Sequence, residues 1–293
     1  MLRSIAACAF LLTLGRVEAI ADEGSTIESV RFHSISVEDG LSQPTVRALL
    51  QDRRGFVWIG TLDGLNRSDG NRIRVFRNVP GDANSLSDNH VAAIAEGADG
   101  VLWIGTGGGG LNRYDAARDR FDHFRHDPAV PDSLAGDGVT ALARDAAGAI
   151  WVATSAGGLQ RIRPGETRFA SALDAAQLPG LNSTRNIAPR SNGHLLIATR
   201  LGTYELDADG RLLRELRDPS SASIDSYAVA EDASGAVWIG SGEAGVFRIA
   251  ADGATRQWRV RDQGLAGDAV RALQVGAANE LWIGTLTGLS RLD

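Results

Sequence analysis

Trp58-Ile59-Gly60-Thr61 returns along the chain as Trp103-Ile104-Gly105-Thr106, Trp151-Val152-Ala153-Thr154, Trp238-Ile239-Gly240-Ser241 and Trp282-Ile283-Gly284-Thr285. A sixth copy, Leu196-Ile197-Ala198-Thr199, keeps the pattern without the Trp. Successive copies lie 45, 48, 45, 42 and 44 residues apart. A fixed period of this length is the sequence mark of a repeat architecture.

Each unit has the same internal order. An alternating stretch such as Val46-Arg47-Ala48-Leu49 comes first. A turn follows, as in Asp52-Arg53-Arg54-Gly55, Asp145-Ala146-Ala147-Gly148 and Asp232-Ala233-Ser234-Gly235. Asp at the first and Gly at the fourth position suit a type I turn. The Trp strand is next, then a Gly turn such as Asp63-Gly64, then a strand bearing Leu-x-Arg, as in Leu65 and Arg67 or Leu159 and Arg161. A fourth strand carries aromatics such as Phe121 and Phe124. Four short strands with tight turns and no helical period predict an all-β β-propeller of six four-stranded blades. A solenoid would need capping repeats, and none is visible. The Trp and Ile are expected between blades, with the motif Gly admitting the next sheet closely.

The last unit stops after its third strand, at Leu292-Asp293. A spare strand at Val30–Val37, followed by Asp39-Gly40-Leu41, resembles Gln257–Leu265, the fourth strand and exit of unit five. The N-terminal strand is therefore expected to close the last blade and remove the sheet edges. The sixth Trp, Trp258, belongs to that outer strand of unit five.

Composition agrees with this reading and excludes several functions. The 293 residues include 35 Gly and 8 Pro, and the hydrophobic share is 43%. This is a globular profile, with the Gly assigned to turns. The 30 basic residues, all Arg, stand against 36 acidic ones for a net charge of −6, which argues against nucleic-acid binding. Residues 1–21 read as a signal peptide: Arg3, an apolar stretch from Ile5 to Leu14, and Ala19-Ile20-Ala21 as the cleavage site. Residues 22–293 are then the propeller, exported to the periplasm without membrane insertion of the mature chain. Cleavage removes the only Cys, Cys8, and leaves 28 basic against 35 acidic residues. Thiol chemistry and disulfides are thereby excluded from the mature chain.

The blade pattern Asp-x-x-Gly, Trp-Ile-Gly-Thr, Gly-Gly-Leu-x-Arg resembles the two-component regulator propeller repeats, the periplasmic sensor propellers of bacterial hybrid histidine kinases and diguanylate cyclases. The links Asn84-Ser85-Leu86-Ser87 and Asp132-Ser133-Leu134-Ala135 resemble that family too. The resemblance spans residues 27 to 293. It implies a ligand-sensing, non-enzymatic propeller of a two-component-type signal transduction receptor. A small molecule or oligosaccharide would be its ligand, and a membrane receptor or output domain its partner. Kinase or cyclase activity would lie in a region absent from this chain, and no cofactor is implied.

Candidate ligand residues come from the loops that should share one face around the channel mouth. The links entering each first strand contribute Asp88, Asn89, His90, Asp137, Asn182, Asp225 and Asp268, and Tyr227 follows in unit five. The turns after the second strands contribute Asp63 and Glu243. A polar, acidic rim of this kind can hydrogen-bond a sugar, although Asp and Asn also cap turns. The alternatives are a metal-dependent enzyme resembling the streptogramin lyases, with His90 beside Asp88 or Asp137, and a protein-binding scaffold. No catalytic or metal set is expected. Gly107–Gly110 reads as a tight turn, His123 and His126 as solvated edge residues, and the third-strand Arg as a packing or ion-pair residue. Unit four is the divergent one, with Thr203-Tyr204-Glu205 in place of Leu-x-Arg.

Overall fold

The structure, a computed structural model, describes residues 34–292 apart from 175 and 179. The signal-peptide reading of residues 1–21 and the first half of the spare N-terminal strand, 30–33, lie outside the described residues; the described half is not a strand, residues 34–36 being irregular. The last residue of that expected strand, Val37, instead opens a 3₁₀ turn, Val37–Asp39.

Six antiparallel sheets follow one another in the unit spanning residues 35–293. Five have four strands in meander order, and the sixth has three among the described residues. The blades cover residues 46–76, 91–124, 139–174, 184–216, 226–258 and 270–292. The first strands lie side by side, so they form the inner wall and the fourth strands the rim. The chain is a six-bladed β-propeller.

Apolar residues of each blade can be buried only against the next blade, and the core is divided accordingly. One cluster joins Trp58, Leu65 and Phe76 of blade 1 to Leu102, Ile104, Tyr114 and Phe121 of blade 2. Four further clusters join blades 2–3, 3–4, 4–5 and 5–6. Trp58 and Trp151 are fully buried. Trp258 leans on Trp238 with ring centroids 5.1 Å apart.

The motif Gly has the expected steric role. A Cβ on Gly60, Gly105 or Gly240 would lie 2.5, 2.4 or 2.5 Å from a methyl of Val91, Val139 or Val270, the first residue of the next blade. The motif Thr closes the hairpin after its strand: Oγ1 of Thr61, Thr106, Thr199 and Thr285 donates to the carbonyl of Gly64, Gly110, Gly202 and Gly288 at 2.8–3.0 Å.

The array has two uncovered ends among the described residues. Leu289 is 48% exposed, whereas Leu65, Leu111 and Leu159 at the same position are fully buried. Val46 is 41% exposed, against 0–1% for Val91, Val139 and Val270. Beside Val46, residues Ile35, Val37, Leu41 and Pro44 line a groove of about 510 Å³.

Candidate ligand-binding face of the propeller

The two loop sets expected at one face do meet there. The amides of Gly64, Gly110 and Gly245, after the second strands, donate to Asn89, Asp137 and Asp268 carbonyls in the link to the next blade, at 2.7–2.9 Å. Within blades, Gly107 N–H donates to the His90 carbonyl and Gly242 N–H to that of Asp225.

Several predicted ligand residues are used by the scaffold. Asn89, Asp137 and Asp268 occupy one repeated position. Each side-chain oxygen accepts the backbone N–H just after the preceding fourth strand: Asn78 at 2.7 Å, His126 at 2.8 Å and Val260 at 2.8 Å. Asp63 accepts from Arg77 and from the Asn89 amide, latching blade 1 to the next link. These are capping roles of short polar side chains.

The other predicted residues are half-buried (Asp88, His90, Tyr227) or exposed (Asn182, Asp225, Glu243). Asp88 Oδ1 accepts the His90 backbone N–H at 2.9 Å. Asp88 also lines an open polar cleft of about 340 Å³ with Asn78, Ser87, Asn89, Gly108, Gly109 and Arg125. The His90 ring lies over Gly107, whose Cβ would be 2.4 Å from Nδ1, and its Nε2 is buried without a hydrogen bond among the described residues. Among the described residues the His90 ring hydrogen-bonds neither Asp88 nor Asp137, whose carboxylates accept the backbone N–H groups of His90 and His126. His126 is exposed, as an edge residue should be, and His123 is half-buried; one ring nitrogen of each also hydrogen-bonds a backbone carbonyl, of Leu134 at 2.8 Å and of Ser85 at 2.7 Å.

One feature escapes strand-by-strand reading. Every first strand bulges at its second residue, where the register skips Arg47, Ala92, Thr140, Arg185, Tyr227 and Arg271. A bulged residue is unpaired and its side chain is re-aimed. On the innermost strand of each blade, this places six side chains around the channel mouth. In blades 4 to 6 they touch: the Arg185 and Arg271 guanidiniums lie 3.6 and 3.9 Å from the Tyr227 ring centroid. Arg185 also donates to Asp225 at 2.5 Å. Aligning the six first strands on the motif would have found the position; its bulge becomes visible only with the register.

Blade 4 is divergent in a coherent way. In blades 1, 3 and 5 the turn Asp accepts the Trp indole N–H, and an Arg faces the Trp across the third strand. In blade 4 the turn holds Arg190, Leu196 replaces the Trp, and Glu205 faces it across the strand. Charge is thus inverted: Glu205 accepts from Arg190, from His194 at 3.0 Å and from Arg214 at 2.7 Å. Arg190 also pairs with Glu231 of blade 5 at 2.8 Å. Burial raises the Glu205 pKa, but these donors outweigh it and hold the carboxyl at about 2. This network lies at the turns between first and second strands, away from the channel-mouth loops, and ties blade 4 to blade 5 through Arg190 and Glu231.

Repeat, fold and face define a β-propeller with an open, polar, partly cationic channel mouth. Two stretches of the repeat array, residues 40–63 and 85–108, match the family model of the two component regulator propeller. A 56-residue stretch, 19% of this chain, is 46% identical to histidine kinase P4 of Formosa agariphila and covers 4% of it. Among solved structures, an extracellular domain assigned to a one-component system of B. thetaiotaomicron aligns with TM-score 0.71 and 22% identity, over 90% of this chain and 38% of that one. One assigned to a hybrid two-component system of the same organism aligns with TM-score 0.61 and 20% identity, over 88% and 41%. Virginiamycin B lyase from Staphylococcus aureus aligns with TM-score 0.64 and 17% identity, over 85% and 81%. At these identities the likeness is one of fold. The chain spans less than half the length of both B. thetaiotaomicron domains. Among the described residues, no helix is long and apolar enough to cross a membrane.

Proposed function

We propose that this propeller is the periplasmic ligand-sensing part of a two-component-type receptor. It would recognise a small molecule or oligosaccharide at its channel mouth and pass the bound state to a membrane receptor or output domain. The signal peptide is removed at Ala21, and the chain itself is not an enzyme. The observation that carries the reading is the meeting of two things: repeats shared with a histidine kinase, and six inner-strand bulges that turn side chains toward one opening. A rigid ring with unpaired polar groups on one face is suited to binding.

The test is a thermal-shift screen of saccharides and small metabolites, run in parallel on the wild-type chain and Thr140→Trp. That substitution fills the mouth from a bulge bearing a small side chain, and alters no candidate ligand group. Ligands that raise the wild-type Tm should fail to raise that of Thr140→Trp. Hits that stabilise both proteins equally would place recognition elsewhere.

A further inference from the structure

Deepening the channel-mouth reading, on which it rests, we propose that Arg185, Tyr227 and Arg271 form a subsite for an anionic group, a carboxylate or a phosphate or sulfate ester. The three residues come from successive blades, and all stand at the bulge of the innermost strand. Two guanidiniums flank one phenol ring, 3.6 and 3.9 Å from its centroid. Stacking of this kind holds the planar forks in place while leaving their N–H edges free for a ligand.

The charges there do not balance. Asp225 accepts from Arg185. Arg271 donates to the Val270 carbonyl at 2.9 Å, and no carboxylate among the described residues lies within ion-pair distance of it. Asp268 is bound to the Val260 amide, and Glu243 pairs with neither guanidinium. Arg271 is also only partly exposed, so part of its hydration has been given up without an anion in return. The Arg47 side chain, at the equivalent bulge of blade 1, likewise has no carboxylate partner among the described residues. Of the six bulge positions three carry Arg and none carries a carboxylate, although the net charge of the chain is −6. The opposing bulges are small, Ala92 and Thr140, which leaves room for the rest of a ligand.

A carboxylate or phosphoryl oxygen pair matches the fork of Arg271 in two parallel N–H···O bonds, the strongest geometry available to a guanidinium. Arg185 can add a further donor, and the Tyr227 hydroxyl can donate from between them. No covalent step is involved.

The experiment is an NMR titration of the full chain that follows arginine Nε–Hε signals, assigned through Arg185→Lys and Arg271→Lys. The probes are galacturonic acid, glucose 6-phosphate and galactose. The expected result is that one or both anions shift the Arg185 and Arg271 signals, and bind Arg271→Gln at least tenfold more weakly. Tyr227→Phe, which keeps the stack, should weaken them less than Tyr227→Ala. A preference between the two anions identifies carboxylate or phosphate ester as the source. Equal binding to wild type and Arg271→Gln would overturn the assignment, as would anions that move neither Arg signal. Galactose shifting amides of Asp88 and Gly108 while the anions shift nothing would overturn the anion class alone. The ligand-sensing reading would then survive.

Discussion

The indole N–H of Trp58 donates to Asp52 Oδ2 at 2.9 Å, while Oδ1 of the same carboxylate accepts the amides of Arg54 and Phe56. One buried side chain thus closes the turn before the motif strand and orients the Trp that wedges toward the next blade. Asp145 with Trp151 and Asp232 with Trp238 repeat the indole bond at 2.8 and 2.9 Å. Asp232→Ala should therefore destabilise the propeller by about 2–4 kcal/mol, since it orphans the buried indole N–H and takes from the Arg248 guanidinium its carboxylate, leaving it the Ser234 hydroxyl. Urea denaturation measures this; a loss under about 0.5 kcal/mol would mean that the Asp serves only the turn.

Acid should weaken the fold through two carboxylates. Burial raises the Asp232 pKa, but hydrogen bonds from Ser234, Trp238, Ala236 N–H and Arg248 outweigh it and hold the group at about 2, below its ordinary 3.8. Glu205 is held at about 2, below its ordinary 4.5. Both are depressed in the folded state, so their stabilisation is complete above about pH 5 and is lost as pH falls toward 2. Each contributes on the order of 2–3 kcal/mol. Urea midpoints at pH 7, 4 and 3 should be highest at pH 7 and fall most between 4 and 3. A midpoint flat to pH 3 would contradict this.

The inverted blade makes a compensation prediction. Glu205→Arg puts a second guanidinium beside Arg190 in a site where both side chains are at most 10% exposed, and should cost about 3–5 kcal/mol. Combining it with Arg190→Asp and Leu196→Trp rebuilds the Asp, Trp and Arg set of the other blades and should recover at least half of that loss. A triple variant no more stable than Glu205→Arg alone would show that blade 4 has diverged beyond the three positions.

The motif Gly predicts how the ends of the array behave. Gly105→Ala drives a methyl into Val139 and should cost about 1–3 kcal/mol. Adding Val139→Ala should relieve part of it. Gly284 meets only its own blade among the described residues, with Ala272 Cβ 3.5 Å from a built Cβ. Exposed Val46 is the same residue type as Val91, Val139 and Val270, which open blades 2, 3 and 6 and meet the motif Gly of the blade before. Ring closure between blades 6 and 1 thus predicts a cost for Gly284→Ala close to that of Gly105→Ala. A neutral Gly284→Ala would show that no such contact forms.

The architecture was legible because packing between blades demands the same residues at each turn of the ring. Trp, Ile, Gly and Thr repeat since each solves a steric or hydrogen-bonding problem set by the neighbouring sheet. The binding face was legible only in outline. Asn89, Asp137 and Asp268 looked like ligand groups because nothing in a linear sequence shows the backbone amides they cap. Nothing in the sequence marks Arg185 and Arg271, because a bulge exists only in the pairing of two strands. The buried Asn66 and Asn112, which accept the amides of Ser42 and Ser87 at 2.9 Å, were hidden in the variable position of Leu-x-Arg.

Recognition at the channel mouth is tested most directly by a hydrogen-exchange footprint of the full chain with a stabilising ligand bound. The predicted footprint covers the start of the first strands around Ala92, Arg185, Tyr227 and Arg271, and the hairpin at Gly107–Gly110. The opposite face, with the turns at Asp52, Asp145 and Asp232, should be unchanged. Protection confined to those turns, with the bulged strands untouched, would contradict it.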